Sequence, residues 1–159
     1  MVRRVFVDFI MEPSITIRIA TITDAPAIAA LSQELGYPAD AAEMGSRLGR
    51  ILGRADQLVL VAETADGGVC SWLQATSSDV LESGFRVEIV GLVVSPFVRR
   101  HGIGKKLVTE AENWGRYIGA RSVIVSSNVI REESHIFYPA LGYTAVKVQR
   151  VYRKKLEGA

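Results

Sequence analysis

A basic segment, VVSPFVRRHGIGKKL (residues 93–107), combines residue types that suggest anion binding. Two glycines stand one residue apart, after an apolar run and before a helical pattern. The first N–H groups of a helix are unpaired and carry partial positive charge, and glycine lets an anion approach the backbone. The side chains of Arg99, Arg100, Lys105 and Lys106 add positive potential. The segment is therefore predicted to bind a pyrophosphate.

Two other interpretations of this segment stay open, a solvated basic turn and a nucleic-acid patch. The dinucleotide-binding pattern Gly-x-Gly-x-x-Gly requires a third glycine where Leu107 stands. The P-loop pattern requires a glycine where Arg99 stands and a serine or threonine where Lys106 stands. The net charge of +2 is also less one-sided than that of a dedicated nucleic-acid binder. The neighbouring elements must therefore decide the matter.

The strand before the basic segment contains an interior glycine, Gly91, among β-branched residues. Such a glycine often marks a β-bulge or a close backbone approach. A bulge would separate this strand from the next and leave backbone groups of residues 92–94 free for an extended ligand. A ligand with a pyrophosphate at one end and an amide-bearing arm at the other is coenzyme A.

The elements that position these residues follow from hydrophobic spacing. Alternating or continuous apolar runs predict strands at residues 14–20, 58–62, 69–75, 86–94, 122–125 and 145–156. Apolar stripes at helical spacing predict two helices between the first and second strands, ended by Gly36 and begun by Asp40 respectively. A third helix follows the basic segment and ends near Gly119. A fourth covers residues 131–141 and is closed by Gly142.

This order predicts an α/β (α+β) fold in one domain. The helix between the strands at residues 86–94 and 122–125 implies a parallel pair, whereas the remaining connections look like hairpins. We expect a mixed, mostly antiparallel sheet of 6–7 strands, with a splayed central parallel pair and about four flanking helices. Residues 14–159 form this domain, and residues 1–13 are an extension that is either an edge strand or a start artefact.

Composition excludes several classes of protein. The single cysteine, Cys70, allows no internal disulfide and fits a reducing cytoplasm. Two histidines and one cysteine offer no zinc-ligand spacing, so no metal is expected. No apolar run is long enough to span a bilayer. We therefore expect a cytoplasmic protein with neither a membrane nor a nucleic acid as its partner.

The sequence resembles the GNAT superfamily of N-acetyltransferases. Its signature Arg/Gln-x-x-Gly-x-Gly/Ala reads RRHGIG at residues 99–104. A second signature follows downstream, with Asn128 after the next strand, then FY at 137–138 and LGY at 141–143. The element order also matches, and the resemblance covers nearly everything from residue 14 to residue 156.

The resemblance implies that acetyl-CoA is the donor, with its pyrophosphate on the loop amides and its pantetheine arm along residues 92–94. Asn128 would contact that arm. The cofactor-binding residues expected on this basis are Leu92, Val93, Val94, Arg99, Arg100, His101, Gly102, Ile103, Gly104, Lys105, Asn128 and Tyr138.

The catalytic candidates are Glu88 and Tyr138. An acceptor amine must lose protons, and Glu88, the only acid in its strand and at the spacing of the family's strand glutamate, would take them directly or through water. The N–H of Val93 or Val94 would stabilise the oxyanion. By resemblance, Tyr138 would protonate the departing thiolate.

Each of these residues has a plainer interpretation. Glu88 could pair with Arg86 or Arg121, Tyr138 could be a core residue, and Asn128 could be a turn residue. Pro139 disfavours helical conformation in the preceding tyrosine, so the helix is expected to kink or to end early there.

The function predicted is direct transfer of an acetyl group to a primary amine of a small molecule or protein, by an N-acetyltransferase (an acyltransferase). A homodimer is a candidate assembly for it. The alternative is a non-catalytic acyl-CoA-binding regulatory module. The segment 35–54 and a loop at residues 76–86 are expected to shape the acceptor pocket. Tyr37 and Trp72 either line that pocket or serve packing. The sequence does not identify the acceptor.

Overall fold

The computed structural model of the protein describes residues 14–158, which contain five strands and four α-helices. The strands are β1 (Ile15–Ile19), β2 (Gln57–Thr64), β3 (Val69–Val80), β4 (Gly84–Val94) and β5 (Ser122–Val125). The helices are α1 (Ala25–Ser32), α2 (Ala41–Ile51), α3 (Ile103–Ile118) and α4 (Glu132–Ala140), with short 3-10 turns at Ile22–Asp24, Gln33–Leu35 and Pro96–Val98.

The strands form one mixed sheet in the order β1-β2-β3-β4-β5. The first four strands are antiparallel neighbours, and β4 runs parallel to β5. The mixed sheet, the parallel pair joined through a helix and the four helices confirm the corresponding predictions. The chain divides into two compact units, of which one ends at Val125 and contains the sheet with α1–α3. The other begins at Ser126 and contains α4.

The helix α3 packs closely on the parallel pair because Gly115 has no side chain. A Cβ at Gly115 would lie 3.4 Å from Val87 Cγ2 on β4 and 3.6 Å from Val123 Cγ2 on β5. Leu107 and Ala111 on the same helix are fully buried. This packing fixes the start of α3 at the end of β4, where the basic segment lies.

The opposite face of the sheet packs against α1 and α2. Val59 and Val61 of β2 form a buried cluster with Ile28 and Met44, among others, and Trp72 packs against it. Helix α2 begins at Asp40, whose Oδ1 accepts a hydrogen bond of 2.7 Å from the Glu43 N–H, as the capping prediction required. The two helices therefore form a wall over the face that carries Trp72.

An ion-pair network ties the first strand to the start of α1. The Arg18 guanidinium donates to both oxygens of Asp24, at 2.8 and 2.9 Å, and also to Glu63 on β2. The Thr21 N–H donates a further bond of 2.8 Å to the Asp24 carboxylate. The hydrogen bonds from Arg18 lower the pKa of Asp24, although burial of that carboxyl acts in the opposite direction.

Three expectations about the sheet are wrong. Among the described residues the sheet has five strands rather than 6–7, because residues 145–156 form no strand and are exposed throughout. Alternation shows which face of a strand could be buried, but a strand also needs a backbone partner, and no strand within residues 14–158 pairs with this segment. Residues 1–13, where a further strand was considered, lie outside the described residues.

The parallel pair is also at the edge of the described sheet rather than at its centre. Residues 76–80, expected to be loop, extend β3 and pair with the beginning of β4. These residues are mostly polar, and all of them are half-buried or exposed, so no apolar alternation marks the strand.

Candidate active site

A β-bulge interrupts β4 next to Gly91, as the sequence indicated. Gln74 pairs with Gly91 and Ala75 pairs with Ile89, so Val90 is the extra residue. Pairing between β4 and β5 ends at the same point, with Ile89 opposite Val125. Beyond it, among the residues that the structure describes, no strand pairs with the β5-facing edge of residues 90–94.

The direction of the backbone groups at this edge follows from the β3 ladder. The Ser95 N–H donates to the Cys70 carbonyl at 2.8 Å, and residues of a strand alternate in direction. The backbone groups of Val93 therefore face β3, where its carbonyl also accepts from Ser71 Oγ at 2.5 Å. Those of Leu92 and Val94 face the open edge. Of the two oxyanion candidates, Val94 is the one whose N–H points there.

The loop between β4 and α3 contains two residues in the left-handed region, Arg100 (φ 69°) and Gly102 (φ 72°). Gly102 is the N-cap of α3, and its carbonyl accepts the first helical bond, from the Lys106 N–H at 3.0 Å. The N–H groups of residues 103–105 thus lie in the first turn, without partners within the helix. A left-handed arginine is uncommon outside functional sites, because it is strained.

The side chains of the loop divide into exposed cations and a buried anchor. Arg100, His101 and Lys105 are exposed, whereas Ile103 is buried in the core. Ile103 and Gly104 are therefore available to a ligand through their backbone alone. Arg99 is held in place, because its Nε donates to the Val94 carbonyl at 3.2 Å and its Nη2 lies 3.4 Å from Glu34 Oε2.

Glu88 lies on β4 in register with Thr76 on one side and Ile124 on the other. Paired residues of neighbouring strands project to the same face, so Glu88 shares its face with Gln74 and Gly91, one step along the ladder. Its side chain is partly exposed, and Arg86 Nη2 lies 4.0 Å from its Oε2. The ion pair between Glu88 and Arg86, which was the plainer interpretation of Glu88, is thus present, but at the longest distance that still counts as an ion pair.

A cavity of about 190 Å³ opens on this same face, between the sheet and the helices α1 and α2. Its lining includes Tyr37 and Trp72, which confirms that these aromatics line a pocket. The segment 35–54 supplies much of the wall, as expected, but the segment 76–86 supplies none of it. Arg47 and Gln74 also line the cavity. Sequence reasoning missed these two, since a lone polar residue beside an apolar stripe is ordinary.

Trp72 and Gly91 are in close contact in the cavity wall. A Cβ on Gly91 would lie 2.6 Å from both Cη2 and Cζ3 of the indole ring. The indole Nε1 is buried and has no hydrogen-bond partner within the described part of the chain. Buried N–H donors are almost always paired, so this donor calls for a ligand or water.

The second unit contains Tyr138 on α4. Its ring packs edge-on against Phe137 and Tyr143, with centroids 5.0 and 5.6 Å away. Burial raises the pKa of the Tyr138 hydroxyl, although the charge of Arg131 opposes the shift. The hydroxyl is therefore protonated at neutral pH, as a proton donor must be. Helix α4 continues through Pro139 and ends at Ala140, so the expectation that the helix ends early at this proline is wrong.

Asn128, also in the second unit, occupies a turn. Its Oδ1 accepts a hydrogen bond of 3.2 Å from the Ile130 N–H, and its carbonyl accepts one of 2.9 Å from the Arg131 N–H. The turn interpretation of Asn128 is therefore observed. Its side-chain amide N–H groups lie on the other side of the carboxamide and are not used by these bonds.

Cys70 is poorly suited to covalent catalysis. The Cys70 thiol is buried, donates to the Ala62 carbonyl at 3.4 Å and has its pKa raised by desolvation, which makes it a poor nucleophile. No group of three potential metal ligands occurs among residues 14–158. None of their helices is both long enough and apolar enough to cross a membrane.

Comparison with known proteins identifies the family to which the sequence is similar. The model of the acetyltransferase (GNAT) family matches residues 25–143. The aminoglycoside N(6')-acetyltransferase type 1 of Klebsiella aerogenes is 31% identical over 101 residues, which are 62% of this chain and 66% of that protein. The match thus spans slightly less than two thirds of that relative.

Two solved structures show the same fold. One is an aminoglycoside N-acetyltransferase, AAC(6')-Iy, in complex with CoA, with a TM-score of 0.79, 21% identity and coverage of 91% of this chain and 97% of the other. The second is the glucosamine-6-phosphate N-acetyltransferase of Arabidopsis thaliana, with a TM-score of 0.79, 21% identity and coverage of 89% and 99%.

Proposed function

Because the chain belongs to the acetyltransferase (GNAT) family, we propose that it transfers an acetyl group from acetyl-CoA directly to a primary amine. The bulge at Val90 carries this proposal. It ends the pairing of β4 with β5 and leaves an open strand edge that leads to the start of α3. An extended arm with a diphosphate at one end fits an open edge followed by a helix N-terminus.

The residues present fit coenzyme A as a co-substrate. The backbone groups of Leu92 and Val94 would pair with the amides of the pantetheine arm, as an added strand would. The first-turn N–H groups of α3 would bind the diphosphate, and the exposed side chains of Arg100 and Lys105 would add positive charge around it. The left-handed Gly102 lets the chain turn into the helix so that these N–H groups face outward.

The proposed reaction forms an amide bond and breaks the thioester C–S bond. The acceptor nitrogen attacks the thioester carbonyl carbon, and its proton passes to Glu88 directly or through one water. The Val94 N–H would stabilise the oxyanion. The Tyr138 hydroxyl would donate its proton to the departing thiolate, as in the family that this sequence resembles. The products are the N-acetylated amine and free CoA.

Glu88 suits the role of base because of its place beside the cavity. It lies on the face that carries Gln74 and Gly91, two residues that line the cavity. Glu88 does not itself line the cavity, so the proton of an amine bound there would reach its carboxylate through water.

The test combines calorimetric titration with acetyl-CoA and measurement of CoA release in the presence of a panel of primary amines. Binding together with amine-dependent release is the expected result. Binding without release for any amine would favour a non-catalytic acyl-CoA-binding regulatory module. The absence of binding would contradict both functions.

A further inference from the structure

The cavity beside β4 is apolar and carries little negative charge. Aliphatic side chains of α1, α2 and the sheet form most of its wall. Arg47 is the only charged residue among the described residues that line it, and no acidic residue does so. Its guanidinium pairs with the Glu43 carboxylate, and an anionic group of the acceptor would take the place of that carboxylate.

The acidic residues near the cavity already have partners. The Glu43 carboxylate pairs with Arg47 along α2, and the Asp40 carboxylate accepts from the Glu43 N–H as the cap of that helix. Glu34, next to the cavity-lining Leu35, lies 3.4 Å from Arg99. A substrate with several ammonium groups would therefore find few carboxylates to bind it.

The size of the cavity limits the body of the acceptor. Cavities of about 150 Å³ lined by apolar side chains accommodate a benzene ring. The cavity here is slightly larger, about 190 Å³, and the indole of Trp72 gives it a flat wall. One aromatic ring or one branched aliphatic group fills such a space. A substrate with several rings, such as an aminoglycoside, would extend well beyond it into solvent.

Two polar groups and one charge mark where the acceptor would be held. The buried Nε1 of Trp72 is a donor that lacks a partner among residues 14–158. The side chains of Tyr37 and Arg47 are largely exposed and lie at the mouth of the cavity, at 65% and 44% relative exposure. Gly91, next to the indole, also lines the cavity, on the strand that leads to the proposed thioester position.

We propose that the acceptor is a small primary amine with a single aromatic or branched aliphatic body and an anionic group that binds Arg47. This inference rests on the proposed function and narrows its substrate class. The apolar body would lie against Trp72, the amine would point toward Glu88 and the open edge of β4, and the anionic group would remain at the mouth. Polyamines such as aminoglycosides would be poor acceptors.

The test compares three amines as acceptors, by CoA release. The matched pair is 4-(aminomethyl)benzoate and benzylamine, which differ by one carboxylate, and kanamycin represents the polyamines. We expect kcat/KM to be about tenfold higher for the benzoate than for benzylamine, since one charge-assisted hydrogen bond contributes on this scale. Kanamycin should be the poorest of the three. A kcat/KM for kanamycin above that of both aromatic amines would overturn the proposal.

Two pairs of variants locate the contacts. Arg47→Gln should remove the preference for the carboxylate, whereas Arg50→Gln, an exposed arginine on the same helix outside the cavity, should keep it. Trp72→Phe should raise KM for the benzoate about fivefold through loss of its N–H donor, and Trp114→Phe on α3 should not. A preference that survives Arg47→Gln in a variant with unchanged thermal midpoint would contradict the assignment of Arg47.

Direct binding separates failure of this inference from failure of the proposed function. The same amines are titrated into the protein with CoA present, and quenching of tryptophan fluorescence is followed. Tight binding of the benzoate without turnover would sustain the substrate class and contradict the enzymatic role. Turnover of kanamycin with no binding of the aromatic amines would sustain the enzyme and contradict the substrate class.

Discussion

The indole ring of Trp72 lies so close to Gly91 that a Cβ on Gly91 would be 2.6 Å from two of its ring carbons. The absence of a side chain at residue 91 thus fixes one wall of the proposed acceptor cavity. The bulge residue Val90 is its neighbour. One glycine therefore serves both features, the position of the indole and the interruption of the ladder.

Replacement of Gly91 tests this relationship. Gly91→Ala should displace the indole and destabilise the protein by about 1–3 kcal/mol, the usual cost of overpacking. The KM for the amine should rise more than the Kd for acetyl-CoA. Gly49→Ala is the control, because a Cβ at Gly49 on α2 meets nothing within 4 Å and should stabilise the helix by about 0.5–1 kcal/mol. Urea unfolding measures both changes, and equal stabilities of wild type and Gly91→Ala would contradict the contact.

Tyr138→Phe removes the proposed proton donor and leaves the ring packing in place. Turnover should fall by about 10²–10⁴-fold, the range for a general acid, while acetyl-CoA affinity is largely kept. Burial raises the pKa of this tyrosine, so the hydroxyl stays protonated at neutral pH. Loss of activity from its ionisation should therefore begin above the usual tyrosine pKa of about 10. Tyr117→Phe, an exposed tyrosine on α3, serves as the control. Unchanged turnover in Tyr138→Phe would remove this residue from the mechanism.

Glu88→Gln tests the base. If Glu88 accepts the amine proton, the variant should lose the limb of the pH–rate profile that rises toward alkaline pH, and kcat should fall more than acetyl-CoA affinity. Glu110→Gln, an exposed glutamate on α3, should leave the profile intact. A profile of unchanged shape in Glu88→Gln would assign the proton to another base or to water.

Asp24 is expected to make stability depend on acid pH. Its pKa is lowered in the folded protein, so the stabilisation is fully present above the unfolded pKa of about 4 and is lost as the pH falls through the folded value. Asp24→Asn should cost about 1–3 kcal/mol at neutral pH, because hydrogen bonds to Arg18 and Thr21 are weakened. The difference from wild type should shrink below about pH 4. Thermal unfolding across pH measures it, and the exposed Asp79→Asn should show no such trend.

Much of the fold could be predicted from local patterns. The glycine in the β4 run indicated the bulge, and Gly119 marked the end of α3, where it adopts a left-handed conformation. Residues 145–156 could not be assigned in this way, because alternation of apolar side chains does not supply a neighbouring strand. The extension of β3 could not be predicted because its residues are mostly polar and show no apolar alternation, although they do pair with a neighbouring strand.

The part of the candidate site that is formed by a sequence motif could be predicted, whereas the part that is formed by tertiary packing could not. The loop with Gly102 is recognisable in the sequence because glycines and basic residues lie close together there. The cavity arises from residues far apart in sequence, such as Arg47 on α2 and Gln74 on β3, which the fold brings together. Of the cavity's features, only the close approach of Trp72 to Gly91 was indicated by the sequence, through the glycine inside the β4 run. The same glycine could have marked a bulge without any close contact.

Arg99 has a consequence for the order of substrate binding. Its guanidinium joins the Val94 carbonyl, on the proposed path of the pantetheine arm, to Glu34, whose neighbour Leu35 lines the cavity. An arm that bonds the Val94 carbonyl would displace the Arg99 Nε from it, and the guanidinium, still paired with Glu34, would shift beside the cavity. Binding of the pantetheine arm would thus change the cavity through the side chain of Arg99 alone. We expect CoA to bind before the amine, with product-inhibition patterns of an ordered scheme, and Arg99→Gln to make that order random.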